Sequence, residues 1–195
     1  MKSYFYLATK NLNKIKEVEK IMQLTNIAVL PTPSDIFFPE ETGKTFEENA
    51  LTKALHLKEK LHTEPVAGED SGLEVDKLGG LPGVNSARFS GEHGNDQENI
   101  KKLLNLLSTY KNIEDRVAKF VTVIAFIDSK GIKIFKGEVL GFISFEPKGN
   151  NGFGYDPVFM VLPERKTFAQ LTSVEKNIRS HRANAFKQLA LYLQK

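Results

Sequence analysis

The sequence contains no cysteine, and this absence excludes several kinds of chemistry. Disulfide bonds, thiolate metal sites and a cysteine nucleophile are all ruled out. Any metal ion must therefore bind through oxygen ligands or histidine. The absence of cysteine is also compatible with a reducing compartment.

Long apolar segments and a strong excess of one charge are also missing. The apolar run at residues 4–8 is shorter than the roughly 7–15 residues of a secretory signal core, and no later stretch approaches membrane-spanning length. Lys and Arg number 27 against 24 Asp and Glu. This excess tolerates a small polyanionic substrate without indicating a nucleic-acid surface. We expect a soluble, cytoplasmic protein with neither membrane nor nucleic-acid partners.

The length of the chain suits one structural unit. Its 195 residues, 41% of them hydrophobic, are enough to bury a substantial core. We find no internal repeat and no convincing linker. We therefore predict a single domain over residues 1–195, with room for a cleft between two lobes.

Strand and helix signals alternate at the start of the chain. Residues 4–8 and 27–30 are predicted strands, and Asn11 is the predicted N-cap of an amphipathic helix between them. A capping box runs from Thr45 to Glu48 and predicts a second helix after a long loop. Strand, tight loop and helix is the simplest interpretation of this region.

The middle of the chain favours antiparallel strands. Residues 120–127 and 132–135 flank a hairpin signal, and residues 138–145 predict a further strand. An amphipathic helix is predicted to start near Asn95 or Asp96. This arrangement differs from a pure repeat of parallel strands and helices.

The most informative stretch lies at residues 66–75, where an apolar run gives way to Glu69-Asp70 and then Ser71-Gly72. If residues 65–68 end a buried strand, both carboxylates arrive at the sheet edge where open α/β folds bind ligands. Acids there are candidates for magnesium ligands or general bases. The alternative is a solvated acidic turn, with Ser71-Gly72 as the turn residues.

Basic and acidic residues near the first two helices also have two interpretations. Lys14 falls in the first turn of the helix capped by Asn11, where it suits an anion, but taken alone this signal is weak and favours a solvated lysine. No P-loop spacing is present. Glu40 and Glu41 are either ligands or ordinary loop acidity, and Lys53 is expected to project toward their loop.

The glycine-rich segment 149–157 contains Phe153, Tyr155 and Asp156. Such a loop offers a ring for stacking and a backbone that approaches a ligand closely. The alternative is a structural turn with Phe153 in the core.

Basic residues also gather near the last two helix starts, which a capping box at Thr172 and a cap at Ser180 predict. Positive charge at a helix start opposes the helix dipole, which favours a ligand role, although a lone histidine there is more often structural. The residues concerned are Lys176, Arg179, His181 and Arg182.

Taken in order, these motifs resemble the inosine triphosphate pyrophosphatase family, which hydrolyses non-standard purine nucleoside triphosphates. The resemblance runs nearly end to end. The blocks that carry it are Thr9-Lys10-Asn11-Leu12-Asn13-Lys14, Glu40-Glu41-Thr42-Gly43 with Thr45-Phe46 and Glu48-Asn49-Ala50, Glu69-Asp70-Ser71-Gly72-Leu73, Leu78-Gly79-Gly80 with Pro82-Gly83, Ser86-Ala87-Arg88-Phe89-Ser90-Gly91, Phe153-Gly154-Tyr155-Asp156-Pro157 and Ser180-His181-Arg182.

The resemblance implies a fold, an activity and a cofactor. The expected fold is an elongated mixed β-sheet with flanking helices, forming two lobes around a central cleft, and the expected assembly is a homodimer. The expected activity is Mg²⁺-dependent hydrolysis of ITP, dITP and XTP to nucleoside monophosphate and pyrophosphate, which would keep these nucleotides out of nucleic acids.

The resemblance also implies residue roles. Asp70 is the expected base, and Glu40 and Asp70 are the expected metal ligands, supported by Glu41 or Glu69. Phosphates are expected on Thr9, Asn11 and Lys14. The purine is expected to stack on Phe153, with Asp156, Lys176, His181 and Arg182 at its edge. The wider set of expected substrate-binding residues adds Lys10, Leu12, Asn13, Lys53, Ser71, Gly154 and Tyr155.

The chain departs from the family pattern at two positions. Bacterial members commonly have Gly at the position of Lys10 and an Asp-Asp pair at the position of Glu69-Asp70. A rival resemblance is the septum-formation inhibitor group of nucleotide pyrophosphatases, whose opening Ser-rich, Arg-Arg motif is missing here. A rival of another class is a catalytically silent nucleotide- or RNA-binding module, against which the acidic residues and the lack of a broad basic face argue.

Overall fold

The computed structural model describes residues 3–23, 25–91 and 94–195. Within these residues it contains seven strands and five α-helices, joined by loops and short 3₁₀ segments. The strands are β1 Ser3–Ala8, β2 Ile27–Pro31, β3 Val66–Val75, β4 Val117–Asp128, β5 Gly131–Ile143, β6 Phe159–Val161 and β7 Lys166–Thr167. The α-helices are α1 Leu12–Met22, α2 Phe46–Leu61, α3 Asp96–Leu106, α4 Ser173–Arg179 and α5 His181–Leu193.

The strands form one mixed sheet in the order β2-β1-β3-β4-β5-β6-β7. Strand β1 is parallel to both β2 and β3, whereas β6 is antiparallel to both β5 and β7. Only two residues join β4 to β5, and such a short connection suits an antiparallel hairpin. The predicted mixed-sheet α/β fold is therefore confirmed. None of the helices in the described residues has both the length and the apolar character needed to cross a bilayer.

Local capping signals determine where the helices begin, as predicted. The Asn11 side chain accepts hydrogen bonds from the first turn of α1, and Thr45 forms a reciprocal capping box with Glu48 at the start of α2. The side chains of Asn95 and Ser180 likewise accept a hydrogen bond from the first turn of α3 and of α5. Each cap satisfies backbone N–H groups that have no partner within the helix.

Two predictions about strands are wrong. Residues 65–68 do not end a strand, and Glu69 to Gly72 do not form a turn, because β3 runs from Val66 to Val75. Glu69 and Asp70 therefore lie within the strand. The proposed strands at 132–135 and 138–145 are one strand, β5, which runs through Gly137. A glycine in a strand often marks close packing, and a Cβ at Gly137 would lie 2.1 Å from the His181 carbonyl oxygen of α5.

The chain divides into two compact units, each with its own core. The first unit comprises residues 1–71, 122–138 and 180–195. Its core contains Phe5, whose ring lies 6.3 Å from that of Phe126 and 6.2 Å from that of Phe186. Helices α1 and α5 supply further buried residues to this core, including Val18 and Leu189.

The second unit comprises residues 72–121 and 139–179. The rings of Phe120, Phe159 and Phe168 form the centre of its core, with centroids 4.5–5.9 Å apart. Leu103 of α3 is completely buried in the same cluster. Burial of side chains of this size contributes roughly 1.5–3 kcal/mol each.

Helix α2 packs directly on the backbone of β3. A Cβ at Gly68 would lie 2.0 Å from the Ala50 carbonyl oxygen and 2.7 Å from the Ala54 amide nitrogen. Because side chains alternate along a strand, Asp70 projects to the same face as Gly68, toward α2. The absence of a side chain at Gly68 therefore brings α2 close to the acidic part of β3.

We expect Gly68→Ala to lower the free energy of unfolding by about 3 kcal/mol or more, because the added methyl group overlaps helix backbone. Urea unfolding measures this change. The matched control is Gly79→Ala, where φ is +65° and no described atom lies within 4 Å of the new methyl group. That control should lose only about 1–2 kcal/mol, from backbone strain. Equal losses in the two variants would contradict the packing argument.

Candidate active site

Two adjacent carboxylates lie inside the first unit. Glu69 is 1% exposed and Asp70 is 4% exposed. Because neighbouring residues of a strand point to opposite faces of the sheet, the two carboxylates have separate surroundings. Buried carboxylates need cations or hydrogen-bond donors close by, and each of the two has its own set.

Helix α2 holds Asp70. The Asn49 Nδ2 donates to Asp70 Oδ2 at 3.0 Å, and the Lys53 Nζ donates to Asp70 Oδ1 at 3.3 Å. Asn49 and Lys53 are four residues apart and therefore share one helix face. Lys53 also donates to Glu41 Oε1 at 2.6 Å, and Asn49 Oδ1 accepts the Gly43 amide at 2.9 Å. One helix face thus connects Asp70 to the acidic loop at residues 32–44.

Burial raises the pKa of Asp70 above its usual value, and the charge of Glu41 raises it further, against the opposing effect of Lys53. Burial disfavours the charged form of Lys53, but Asp70 and Glu41 outweigh this effect and raise the Lys53 pKa. A buried carboxylate with a raised pKa has a high affinity for protons. Asp70 therefore has the property required of a general base.

Arg182 of α5 holds Glu69 on the other face. Its Nε and Nη2 both donate to Glu69 Oε1, at 3.2 and 3.0 Å. Its Nη2 also donates to Ser71 Oγ at 3.0 Å, and its Nη1 donates to Glu17 Oε2 at 2.5 Å. Lys14 Nζ lies 3.0 Å from Glu69 Oε2, close enough for an ion pair although outside hydrogen-bonding geometry. Both oxygens of Glu69 therefore face cations.

These contacts shift the titration of Glu69 in the direction opposite to Asp70. Burial opposes ionisation of Glu69, but the charges of Arg182 and Lys14 outweigh it and hold the Glu69 pKa well below its usual range. Burial acts to lower the Arg182 pKa, but the charges of Glu69 and Glu17 outweigh it and raise the pKa above its already high value. Glu69 therefore stays ionised at neutral pH and is less suited than Asp70 to take up a proton.

The two faces also differ in how their carboxylates contact cations. On the Asp70 face, the Lys53 Nζ contacts both Asp70 and Glu41, at 3.3 and 2.6 Å. On the other face, Glu69 contacts both Lys14 and Arg182, and Arg182 also pairs with Glu17. Lys53 therefore brings two carboxylates close together on the Asp70 face.

Residues 9–11 form the loop that connects β1 to α1, and residues 12–14 begin α1. The Thr9 Oγ1 accepts the Asn11 amide, and Asn11 Oδ1 accepts the amides of Asn13 and Lys14 at 3.0 and 3.2 Å. These three amides therefore already donate to nearby side chains. An anion bound at this position would contact side chains and not these backbone amides. Leu12 and Asn13 are exposed.

Lys10 connects this loop to the acidic loop. Its Nζ donates to the Pro33 and Ser34 carbonyl oxygens at 2.5 and 3.2 Å. Glycine at this position would lack both contacts, so the departure from the family pattern has a structural consequence. Farther along the acidic loop, Glu40 is exposed and Glu41 is half-buried.

A second group of predicted residues lies in the second unit. Lys176 Nζ forms a buried ion pair with Asp156 and lies 5.1 Å from the centre of the Phe153 ring. Asp156 Oδ2 accepts the Phe153 amide at 2.8 Å, and the Tyr155 hydroxyl donates to the Ser86 carbonyl at 2.9 Å. Phe153 is half-buried, so its ring is neither a full core residue nor free in solvent. A cation above the ring stabilises it through a cation–π contact.

The predicted residues thus fall into two groups, one in each unit. The first unit contains Thr9 to Lys14, Lys53, Glu69 to Ser71, and His181 and Arg182, the last two buried at the start of α5. The second unit contains Phe153 to Asp156 and Lys176. No three His, Asp or Glu side chains among the described residues are grouped in the manner of a preformed metal site.

Sequence reasoning did not assign roles to Asn49 and Glu17. Asn49 was visible only as part of a motif, although its position four residues before Lys53 places both on one helix face. Glu17 follows Lys14 by three residues on α1, which is the spacing of neighbours on a helix. Spacing of this kind was the available signal for both residues.

Comparison of the sequence with known proteins shows the family of this chain. The sequence model of the Ham1 family matches residues 5–192. The chain belongs to the Ham1 family. The dITP/XTP pyrophosphatase of Clostridium perfringens is 45% identical over 194 residues, covering 95% of this chain and 94% of that protein. The dITP/XTP pyrophosphatase of Bacillus subtilis is 43% identical, with 96% of each chain covered.

Solved structures of Ham1 proteins have the same fold. The Ham1 protein of Staphylococcus aureus is 42% identical with a TM-score of 0.86, and 98% of each chain is covered. The Ham1 protein of Coxiella burnetii is 37% identical with a TM-score of 0.88 and the same coverage. The seven-stranded mixed sheet with flanking helices is therefore a Ham1 fold.

We expect Glu69→Gln to lower the free energy of unfolding at pH 7 by about 3–5 kcal/mol, because it removes one partner of a buried ion pair. The matched control on the same strand is Glu74→Gln, which removes a half-exposed pair with Lys119 at 3.2 Å and should cost at most about 1 kcal/mol. Urea unfolding measures both changes. The stability lost in Glu69→Gln should become smaller as the pH falls through the usual range of a glutamate pKa and below. The ionised Glu69 stabilises the folded state, and this contribution disappears as the wild-type carboxylate becomes protonated. Similar losses in the two variants would contradict the assignment of Glu69 to a buried network.

We expect the stability of the neighbouring variant, Asp70→Asn, to increase relative to that of the wild type as the pH rises. A raised pKa means that the folded wild type loses stability as the pH rises from the usual aspartate pKa to the raised one, and the loss persists at higher pH. The asparagine carries no such penalty. Urea unfolding measured from pH 3 to pH 8 should show that the free energy of unfolding of the variant rises relative to that of the wild type. A variant that becomes relatively less stable with rising pH would show that Lys53 dominates over burial.

Proposed function

We propose that this Ham1-family chain hydrolyses non-standard purine nucleoside triphosphates, namely ITP, dITP and XTP, to nucleoside monophosphate and pyrophosphate. The observation that carries the proposal is Asp70, a buried carboxylate with a raised pKa that Asn49 and Lys53 hold in place. Further support comes from relatives named dITP/XTP pyrophosphatase at 43–45% identity over almost the whole chain.

In the proposed reaction, Asp70 acts as the general base. It takes a proton from a water molecule, whose oxygen forms the new bond to phosphorus at the α–β phosphate linkage. The bridging P–O bond breaks, and pyrophosphate leaves with the electron pair. Asn49 donates to one oxygen of Asp70 and thereby orients the carboxylate.

The cations of the first unit are proposed to hold the triphosphate. Thr9, Lys10 and Asn11 lie in the loop after β1, and Lys14 lies in the first turn of α1. Together they provide positive charge and polar side chains. Leu12, Asn13 and Ser71 complete the proposed contacts of this unit. Glu69 keeps Lys14 in position by its contact at 3.0 Å. Glu69 therefore contributes to the proposed site indirectly, because it positions a lysine that binds phosphate.

The residues of the Asp70 face fit a Mg²⁺ ion. Mg²⁺ is usually bound by one or two carboxylates together with phosphate oxygens and water, and Lys53 brings the carboxylates of Asp70 and Glu41 close together. Asp70 and Glu40 would hold the ion as the resemblance implies, with Glu41 of the same loop as a supporting oxygen donor. When bound, Mg²⁺ would neutralise negative charge on the phosphates.

Base selection is proposed to use Phe153 for stacking, with Gly154 and Tyr155 in the same loop. Inosine and xanthosine carry an oxygen acceptor at position 6, whereas adenine carries an amino donor. Cationic donors at the base edge would remain unpaired with ATP, which lowers its kcat/KM. The proposed donor in the second unit is Lys176, which Asp156 orients. His181 and Arg182, the other donors implied by the resemblance, lie in the first unit, where Arg182 already donates to Glu69, Glu17 and Ser71. A cytoplasmic, single-domain homodimer remains part of this proposal.

The proposal is tested by measuring pyrophosphate release from ITP, XTP, dUTP and ATP, with and without Mg²⁺. We expect ITP and XTP to be hydrolysed far faster than ATP and dUTP, and only with Mg²⁺. Asp70→Asn should lower kcat by about 10²-fold or more while the protein stays folded, because general-base assistance is lost.

The matched control for this experiment is Asp76→Asn, which changes an exposed aspartate directly after β3. Its turnover should equal that of the wild type. Near wild-type turnover by folded Asp70→Asn would remove Asp70 from the reaction. A preference for dUTP over ITP would overturn the proposed substrate class, and binding of ITP without turnover would indicate a silent nucleotide-binding module.

A further inference from the structure

The ring of Phe153 lies between two glycines with left-handed backbone angles. The φ angle is +80° at Gly152 and +61° at Gly154. A Cβ at Gly152 would lie 1.9 Å from Asp156 Oδ2, so only glycine fits there. Such a backbone has few intrinsic preferences, and the direction of the Phe153 ring therefore depends on what holds the peptide groups on either side.

Two carboxylates hold these peptide groups. The Phe153 amide donates to Asp156 Oδ2 at 2.8 Å, a contact within the loop itself. The next amide, that of Gly154, donates to Asp96 Oδ2 at 2.7 Å, across 58 residues of sequence. Hydrogen bonds to an ionised acceptor are shorter and stronger than neutral ones. The amide of the ring-bearing residue and the amide that follows it are thus both fixed by carboxylates.

Asp96 is itself held in a rigid position. It is the first residue of α3, directly after the cap Asn95, whose Oδ1 accepts the Glu98 amide at 3.2 Å. The helix is anchored in the core of the second unit by Ile100 and Leu103. A negative charge at the start of a helix is favoured by the helix dipole. Because α3 fixes Asp96, the hydrogen bond from the Gly154 amide to Asp96 fixes the loop that carries Phe153 relative to α3.

We propose that Asp96 is a positioning residue for recognition of the nucleobase, which fixes the stacking ring of Phe153 through the Gly154 amide. The inference rests on the proposed function, in which Phe153 stacks on the purine. Asp96 acts through the loop and does not touch the substrate. Its loss should therefore weaken binding of the base and leave binding of the phosphates unchanged.

The test compares kcat and KM for ITP in the wild type, Asp96→Ala and Asp96→Asn, together with inhibition by inorganic tripolyphosphate, which has no base. We expect Asp96→Ala to raise KM about tenfold, the size expected for one lost charge-assisted hydrogen bond. The kcat should change less than about twofold, and the inhibition constant of tripolyphosphate should not change. Asp96→Asn keeps an oxygen acceptor and should recover part of the affinity.

The matched control is Glu98→Ala, in the same helical turn, whose side chain pairs with exposed Lys101 at 3.6 Å. It removes the same charge from the helix start and should leave KM unchanged. A KM of Asp96→Ala within twofold of the wild type would overturn the inference. So would a parallel loss of tripolyphosphate binding, which would indicate a general structural defect.

A second measurement is independent of activity. The chain contains no tryptophan, so Phe153→Trp introduces a single fluorescent reporter at the stacking position. Adding Asp96→Ala to this background should shift the emission to longer wavelength, because the ring becomes less ordered and more exposed. An unchanged spectrum would overturn the inference. Failure of the wild type to hydrolyse ITP or XTP would instead overturn the proposed function, with the spectral shift still reporting on the Asp96 contact.

Discussion

The alternation of side chains along β3 is the constraint on which the rest of the first unit depends. An extended strand must send neighbouring residues to opposite faces, so Glu69 and Asp70 cannot share one set of partners. Each carboxylate is buried and each needs its own cation. Lys53 of α2 pairs with Asp70, and Arg182 of α5 pairs with Glu69. Both helices are therefore held against the same two residues of β3.

The two carboxylates of β3 have different surroundings. On one face, Glu69 pairs with Arg182 and lies close to Lys14, and these contacts connect α1, β3 and α5. On the other face, burial raises the pKa of Asp70 against the effect of Lys53. A buried carboxylate whose charged form is disfavoured reduces stability. The ion pairs of Glu69 stabilise the same strand that carries Asp70.

The sequence predicted the parts of this structure that depend on near neighbours. Caps at Asn11, Thr45 and Ser180 were predicted because a cap and its helix lie within four residues. The Ser71-Gly72 turn was predicted wrongly because a local turn signal lost to pairing and burial along the whole of β3. Contacts between distant residues gave no local signal. Arg182 meets Glu69 across 113 residues, and their pairing depends on how α5 returns to the sheet.

The contact between Gly68 and α2 has a consequence for how the chemistry of Asp70 is tuned. The distance from β3 to α2 sets how near Asn49 and Lys53 come to Asp70, and it also sets how completely water is excluded around that carboxylate. Proton affinity responds to both quantities. The basicity of the proposed catalytic group is thus controlled by a backbone spacing two residues away. A sequence can adjust the working pH of such an enzyme by altering helix packing alone, without replacing any residue that touches the substrate.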